Sequence, residues 1–260
     1  MLIDSLISHW NLDEPPGQTR NDSWGPNDLT IITPPVAAPT VTGHLGNGVG
    51  GTVGLANYPG RANAGLSPEL LDASVFTVTF WFSLADSGAG AQMMISTNDN
   101  TSHSGWDVHQ LDAGTTFTLV GTLGTVGSKG SINVNTGSSP LSYNTTYFCG
   151  FVVPGLSQVA RIEVFNTLGV RVSVASSTIT AAPANPIAEL AIGADKTAGA
   201  NHMVVGSWVD HVSYWNRALS STELIELANG GAGSHLWQYS GYPDDGSINR
   251  EGLGLGFNDN

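Results

Sequence analysis

Oxygen-bearing side chains are concentrated in a short loop near the start of the chain, at residues 21–27. Asp22, Ser23 and Asn27 carry carboxylate, hydroxyl and amide oxygens, and Gly25 lies among them. Ca²⁺ takes about six to eight oxygen ligands, which carboxylates and the carbonyl groups of irregular loops supply. The loop is therefore a candidate calcium site. The simpler interpretation is that Asp22 forms an Asx turn with the backbone of its own loop.

Two tryptophans are candidates for binding a sugar ring. Trp81 falls on the polar side of an alternating segment, residues 76–84, and Trp106 stands beside Asp107 and close to His109. Ligand pockets combine aromatic surfaces with a few placed polar groups, so these rings predict a glycan ligand. The alternative is that most of the seven tryptophans belong to the core, with Asp107 and His109 on a solvated face.

The sequence indicates neither cysteine chemistry nor a zinc site. Cys149 is the single cysteine, so it forms no disulfide within the chain. Its apolar neighbours predict a buried thiol that packs as a small hydrophobic group. The seven histidines are scattered without the paired spacing of zinc ligands.

These candidate groups must be positioned by strands, because apolar and polar residues alternate in many short segments. The clearest alternation runs through residues 76–84, and residues 161–174 predict a hairpin with its turn at 166–169. Helical periodicity is limited to residues 221–229. The pattern predicts an all-β sandwich or jelly roll of antiparallel sheets, with one short helix near the C-terminus.

The segment from Val209 to Glu223 is the most informative part of the chain. It alternates as a strand, turns, and begins a helix with Ser220 and Glu223 at capping-box spacing. This segment closely resembles the closing segment of laminin-G-like, concanavalin-A-like jelly-roll domains. Their pattern runs roughly Ile-Asp-Asp/Glu-Val-Arg-Ile-Tyr-Asn-Arg-Ala-Leu-Ser.

Further segments resemble the same family in the same order and cover most of residues 6–230. They are the opening strand at 6–14, the loop at 21–30, the motif Gly43-His44-Leu45-Gly46-Asn47-Gly48, the central strand at 76–84 and the strand at 189–194. One strand departs from the family, because residues 147–152 stand where Trp-His-His-Val is usual. The resemblance implies a concanavalin-A-like jelly-roll sandwich of two antiparallel sheets. We also expect its first and last strands to lie side by side.

The resemblance also implies which residues bind calcium. The family's structural calcium takes the first acid of the closing strand and the acid of the early loop, which are Asp210 and Asp22 here. Backbone oxygens near Ser23, Gly25 and Asn27 would complete the ligand set. Pro26 departs from the family's usual Gly-Asn-Gly turn at this point.

The sequence predicts a protein that is not an enzyme. Glycosidases need two carboxylates placed across the scissile bond. Residues 69–72, Glu-Leu-Leu-Asp, do not reproduce the Glu-x-Asp-x-x-Glu strand of concanavalin-A-like glucanases. Signatures of serine hydrolases, zinc proteases and phosphate-binding loops are missing as well. His211 replaces the second acid of the family pattern and is expected at the surface.

Acidic residues dominate the charge, since 21 Asp and Glu stand against 8 Lys and Arg and give a net charge of −13. Nucleic acids and anionic membranes attract basic surfaces, so neither is an expected partner. The sequence holds no apolar stretch long enough to span a bilayer, and membrane insertion is not expected. The start of the chain lacks the basic and apolar regions of a signal peptide.

The predicted organisation is a jelly-roll domain at residues 1–231, followed by an arm at 232–260 that is rich in glycine and aromatic residues. We expect the arm to contact a partner or to lie across its own sandwich. The favoured function is a non-catalytic binding or structural module on a virion surface, as a decoration or host-attachment protein. Its expected partners are a glycan or other surface ligand and, through the arm, capsid or tail proteins.

Two alternatives stay open at this point. One is a secreted, extracellular carbohydrate-binding lectin domain, and the weaker one is a glycosidase with an unrecognised site. The sequence does not decide whether the chain forms oligomers.

Overall fold

The computed structural model describes residues 2–31, 39–52, 59–61, 65–86, 88, 90–97, 104–126, 131–137, 139–187, 189–194 and 202–228. The arm predicted at 232–260 lies outside the described residues, as does the predicted domain boundary at residue 231. The fold is built almost entirely of strands. In chain order they are β1 (Leu6–Trp10), β2 (Thr30–Ile31), β3 (Thr40–Thr42), β4 (Asn47–Gly50), β5 (Pro59–Arg61), β6 (Phe76–Ser83), β7 (Gln92–Ser96), β8 (Trp106–Asp112), β9 (Thr116–Gly124), β10 (Ser131–Asn135), β11 (Leu141–Ser142), β12 (Tyr147–Val153), β13 (Val159–Asn166), β14 (Arg171–Thr178), β15 (Leu190–Ile192) and β16 (Trp208–Trp215), followed by helix α1 (Ser221–Ala228).

The strands form two eight-stranded antiparallel sheets. Sheet A has the order β14-β13-β12-β6-β16-β4-β3, and β1 also pairs with β16. Sheet B has the order β10-β9-β8-β7-β15-β5-β2, and β11 also pairs with β9. This confirms the predicted all-β sandwich of two antiparallel sheets with one short helix near the C-terminus.

Strand β16 connects the two ends of the described chain. It pairs with β6 and β4, and it also pairs with β1, where Leu6 is the partner of Trp215. The first and last strands therefore lie side by side, as predicted. The hairpin β13–β14 is confirmed too, and the side chain of Asn166 accepts hydrogen bonds from the amides of Leu168 and Val170 in its turn.

The main core lies between the two sheets and is built from alternate residues of the strands. On β6 these are Phe76, Val78, Phe80 and Phe82, all fully buried. Because successive side chains of a strand point to opposite faces, the residues between them face away from sheet B. The face of sheet A turned away from sheet B is called its outer face below.

A second core covers the outer face of sheet A. Trp81, Phe148 and Trp215 project from that face and pack with Leu224 of α1. The helix lies close to the sheet, because a Cβ atom added to Gly150 would meet Leu224 at 2.7 Å. Strands β6 and β12 are consequently buried on both faces, which explains why their sequences are rich in aromatic residues.

Helix α1 begins with the predicted capping box. The amide of Glu223 donates to the Ser220 hydroxyl at 3.2 Å, and the Glu223 carboxylate accepts from the Ser220 amide at 2.8 Å. Arg217 lies 2.7 Å from the same carboxylate. The hydrogen bond from Arg217 is the largest cause of a fall in the pKa of Glu223 from 4.5 to about 2. The charged form of Glu223 therefore stabilises the native fold.

We expect Glu223→Gln to lower the free energy of unfolding by about 1 kcal/mol at pH 7, the usual scale for losing a helix cap. The folded-state pKa is depressed, so this contribution is present above pH 4.5 and is lost as the pH falls through about 2. Urea unfolding at pH 7, 4 and 2.5 should show the two proteins converging at low pH. Glu226→Gln, at an exposed position of the same helix, is the control. Equal losses for both variants would contradict this interpretation.

Candidate functional site

Asp210 is fully buried in the middle of sheet A. It lies on β16, where its cross-strand partner on β6 is Trp81. Its Oδ2 atom accepts hydrogen bonds from the backbone amides of His44 at 2.9 Å and Leu45 at 3.0 Å. A buried carboxylate is tolerated only when donors of this kind surround it. The loop at residues 43–48 therefore acts as the cap on Asp210.

Glycines allow this loop, called the glycine loop below, to come so close. A Cβ atom on Gly43 would lie 2.5 Å from Oδ2 of Asp210, and one on Gly48 would lie 2.6 Å from the carbonyl oxygen of Val209. A Cβ atom on Gly46 would lie 2.5 Å from Oδ1 of Asp13. The motif recognised at 43–48 is thus explained by steric demand, because a larger residue at any of these positions would displace the loop from the carboxylates.

The glycine loop also covers Trp81. The ring of His44 lies 3.8 Å from the ring of Trp81, measured between centroids, and Phe148 packs against the same indole at 5.2 Å. Trp81 is only 1% exposed as a result. It does face away from the main core, as the alternation predicted, but it belongs to the second core. The proposed sugar-binding role of Trp81 is corrected on this ground.

Trp106 is not at the surface either. It is 0% exposed in the main core, where its ring lies 5.1 Å from Phe76 and 5.9 Å from Tyr214. A ring enclosed between two sheets cannot act as a platform for a sugar. The core interpretation of this tryptophan is therefore the correct one.

Asp22 organises the loop that was predicted to bind calcium. Its Oδ1 accepts from the amides of His9, Trp24 and Gly25 at 2.7–3.0 Å, and its Oδ2 accepts from the amide of Asn27 at 3.0 Å. This is the arrangement of the Asx-turn interpretation. A Cβ atom on Gly25 would lie 2.5 Å from Oδ2, so glycine is required there.

Ser23 and Asn27 are also engaged with neighbouring residues. The Ser23 hydroxyl donates to the carbonyl of His9 at 3.1 Å. The Asn27 side chain donates to the Ser8 hydroxyl at 2.8 Å and accepts from the amide of Ser67 at 2.8 Å. These contacts attach the loop to β1 rather than to Asp210.

Two neighbouring histidine rings lie on β1 and β16, close to Asp210. Nδ1 of His9 shares a hydrogen bond with the Ser213 hydroxyl at 2.7 Å, and its ring lies 5.3 Å from that of His211. Nε2 of His211 lies 3.9 Å from Oδ1 of Asp210. His211 is 4% exposed and has a φ of 49° at an irregularity of β16. The expectation that His211 lies at the surface was wrong, because its ring is buried beside that of His9 and close to Asp210.

The described arrangement fits Ca²⁺ poorly. Both oxygens of Asp22 and Oδ2 of Asp210 face N–H donors, whereas a cation needs oxygens directed at a common point. Across the described ranges, no group of three or more His, Cys, Asp or Glu side chains could hold a metal ion. The calcium assignment to Asp22, Ser23, Gly25, Asn27 and Asp210 stays a prediction.

Burial raises the pKa of Asp210 from 3.8 to about 7, and the hydrogen bonds from the amides of Leu45 and His44 only partly oppose this rise. Raised carboxyl pKa values are also found in catalytic acids. Asp210, however, is fully buried beneath the glycine loop.

Sequence reasoning underestimated a polar pair on sheet B. Nδ1 of His109 lies 2.6 Å from Oδ1 of Asp107, and both residues project from the side of β8 that faces away from the main core. In the neighbouring strands, Asp107 is flanked by Ser96 and Thr122. Asp107, Ser96 and Thr122 are all buried, whereas the side chain of His109 is 17% exposed. We call these four residues the polar recess. The alternation of residues 106–110 is the signal that placed the pair on this face.

No family model and no curated protein matches the sequence. Solved structures do resemble the fold. The binding domain of paraclostridial mosquitocidal protein 1 shares 15% identity over 88% of this chain and 53% of its own, with a TM-score of 0.62. The sialidase of Trypanosoma rangeli, solved with sialic acid, shares 13% identity over 89% of this chain and 34% of its own, with a TM-score of 0.56.

A third structure matches over nearly its whole length. Domain 4 of AbnA, an extracellular arabinanase of Geobacillus stearothermophilus solved with arabinotriose, shares 13% identity over 86% of this chain and 98% of its own, with a TM-score of 0.54. The chain spans about half of the mosquitocidal binding domain structure and about a third of the sialidase. At these identities the likeness shows the fold alone. It is a β-sandwich compatible with the concanavalin-A-like jelly roll that the sequence predicted.

The calcium hypothesis makes a direct thermal prediction. An ion bound only by the folded state stabilises it by mass action, so the melting temperature should be higher in CaCl₂ than in chelator. The difference should be roughly 5–10 °C when free Ca²⁺ is about a hundred times its dissociation constant. Asp22→Asn and Asp210→Asn should abolish it. Identical melting curves in both buffers would refute the calcium hypothesis, and the hydrogen bonds described above would then account for these residues.

Proposed function

We propose that this chain is a non-catalytic binding module whose ligand is a glycan held at the polar recess of sheet B. The observation that carries the proposal is the pair of Asp107 and His109, 2.6 Å apart on a sheet face that belongs to neither core. The pair is held in place by the strand neighbours of Asp107, which are Ser96 and Thr122.

The chemistry of the recess suits a sugar. A carboxylate only accepts hydrogen bonds, so the hydrogen between the pair belongs to Nδ1 of His109, which leaves Nε2 for a ligand. His109 is the more exposed of the pair and would contact the sugar, while the buried Asp107 orients its ring. Met93 and Val120 flank His109 on the neighbouring strands and are themselves buried, so they fix the position of its ring.

The similar structures support a binding role by analogy. One of them is described as a binding domain, and two were solved with sialic acid or arabinotriose. A fold carries many functions, so this support is weaker than that of the site itself. The burial of Asp210 supports a non-catalytic role, because a glycosidase acid must reach the scissile bond.

Asp107→Asn and His109→Gln should each weaken glycan binding at least tenfold, since each removes a hydrogen-bonding group of the recess. The measurement is a glycan array read in calcium and in chelator, followed by calorimetric titration with any sugar that binds. Asp86→Asn makes the same chemical change at an exposed loop and should bind as the wild type does. Absence of glycan binding in both arms, or unchanged binding by both recess variants, would refute the proposed site.

We further propose that the module acts on a virion surface, as a decoration or host-attachment protein. The strongly acidic composition and the aromatic residues of the arm at 232–260 support this setting. A secreted lectin domain is the alternative, and the glycan site would serve either protein. The two differ in what the arm does, because only the virion protein needs it to bind capsid or tail proteins.

Removal of residues 232–260 separates these two settings. For a virion protein, the truncated chain should no longer co-sediment with viral particles that the full chain joins, whereas its glycan binding should be unchanged. Thermal melting should confirm that the truncated chain is folded. Co-sedimentation that survives the truncation would contradict the role given to the arm.

A further inference from the structure

Exposed apolar side chains are concentrated around one hairpin and the helix beside it. Among the described residues, seven of the eleven exposed large hydrophobic side chains lie on β13, on β14, in the turns next to them, or on α1. They are Leu156, Val159, Leu168, Val170, Val172, Val174 and Ile225. Single exposed hydrophobic residues are normal, but a group of neighbours marks an interaction surface.

The valines of β14 share one surface with the helix. Val174 is the cross-strand partner of Glu163, so the two side chains lie on the same face of sheet A. The carboxylate of Glu163 accepts a hydrogen bond from the Ser221 hydroxyl at 2.6 Å, at the start of α1. Ile225 is four residues further along the helix and lies on the same side as Ser221. We call Leu168, Val170, Val172, Val174 and Ile225 the hairpin face.

The hairpin face lies at the end of its sheet. In the described structure β14 pairs with β13 alone and forms the last strand of sheet A. Strand β10 of the other sheet lies close to β14, and the buried Ser173 of β14 donates to the carbonyl of Ser139, which follows β10. Val174 points the opposite way and is 44% exposed, and Val172, at the irregularity of this pairing, is 39% exposed. The surface is therefore open on the outer side of the sandwich.

The charge of this region differs from that of the whole chain. Residues 154–178 and 216–228 contain three arginines and three glutamates, which gives a net charge of zero against −13 for the chain. Arg161 and Arg171 lie 2.8 and 2.9 Å from Glu163 and neutralise it. Two copies of an acidic protein repel each other across most of their surface. The hairpin face adds no like-charge repulsion of its own to this.

We propose that the hairpin face binds the same face of a second copy of this chain and forms a two-fold dimer. Such a contact is self-complementary, because an apolar, neutral surface meets an identical one. It would bury the valines of β14 and Ile225 of both chains. The polar recess lies on sheet B, away from this contact, so each chain of the dimer keeps its own recess.

The test is sedimentation velocity of the full chain over a range of concentrations. The wild type should shift from the mass of one chain to that of two. The variant with Val172→Thr and Val174→Thr keeps the β-branched shape but loses the apolar surface, and its dissociation constant should rise at least tenfold. The control variant carries Val126→Thr and Val205→Thr, which are exposed valines elsewhere, and should dimerise like the wild type.

Salt provides an independent readout. Raising NaCl from about 0.05 to 0.5 M screens the repulsion between the acidic chains, so it should strengthen the dimer. Thermal melting of the hairpin variant checks that it is folded. A wild type that stays monomeric at every concentration would overturn the proposal. A dimer that the hairpin variant forms as readily as the control would overturn it too, since the contact would then lie elsewhere.

Discussion

Burial of a carboxyl group costs free energy unless it is hydrogen-bonded, and this constraint at Asp210 shapes the centre of sheet A. The amides of His44 and Leu45 can reach its oxygen only because Gly43 leaves room. This close approach of the glycine loop also places the His44 ring against Trp81 and closes one side of the second core. One buried acid thus fixes a loop, an aromatic contact and the strand that joins the two ends of the sandwich.

Sheet A is covered on both faces, whereas sheet B has the polar recess on the face away from the main core. The difference follows from the chain's path after β16, because α1 folds back over β12 and β13 and buries Leu224 against Gly150. The helix stops short of the last strand, so the valines of β14 remain uncovered. We thus propose a ligand-binding site on one side of the molecule and a surface for association on the other.

Local patterns predicted most of the fold, because alternation, turn chemistry and the capping box depend on neighbouring residues. The hairpin at Asn166 and the pair of Ser220 and Glu223 were found in this way. The candidate site was harder to predict, because alternation indicates the face on which Trp81 lies but not that a distant loop covers it. The position of His211 was predicted wrongly for a related reason. A bulge changes the face to which the following residues of a strand point, and no residue type in the sequence predicts the bulge. The recess depends on partners from three strands, which only the pairing of the sheet reveals.

The pairing of β1 with β16 constrains the order in which this protein can fold during its synthesis. Leu6 cannot meet its partner Trp215 until the ribosome has added nearly all of the described chain. Strands β1, β4 and β6 all pair with β16, so the centre of sheet A stays incomplete until β16 has been synthesised. Contacts between residues so far apart along the chain form slowly. The β13–β14 hairpin needs only local contacts, so it can form before β16 is made, while β6 still has an unpaired edge, and chains at such a stage are prone to aggregate.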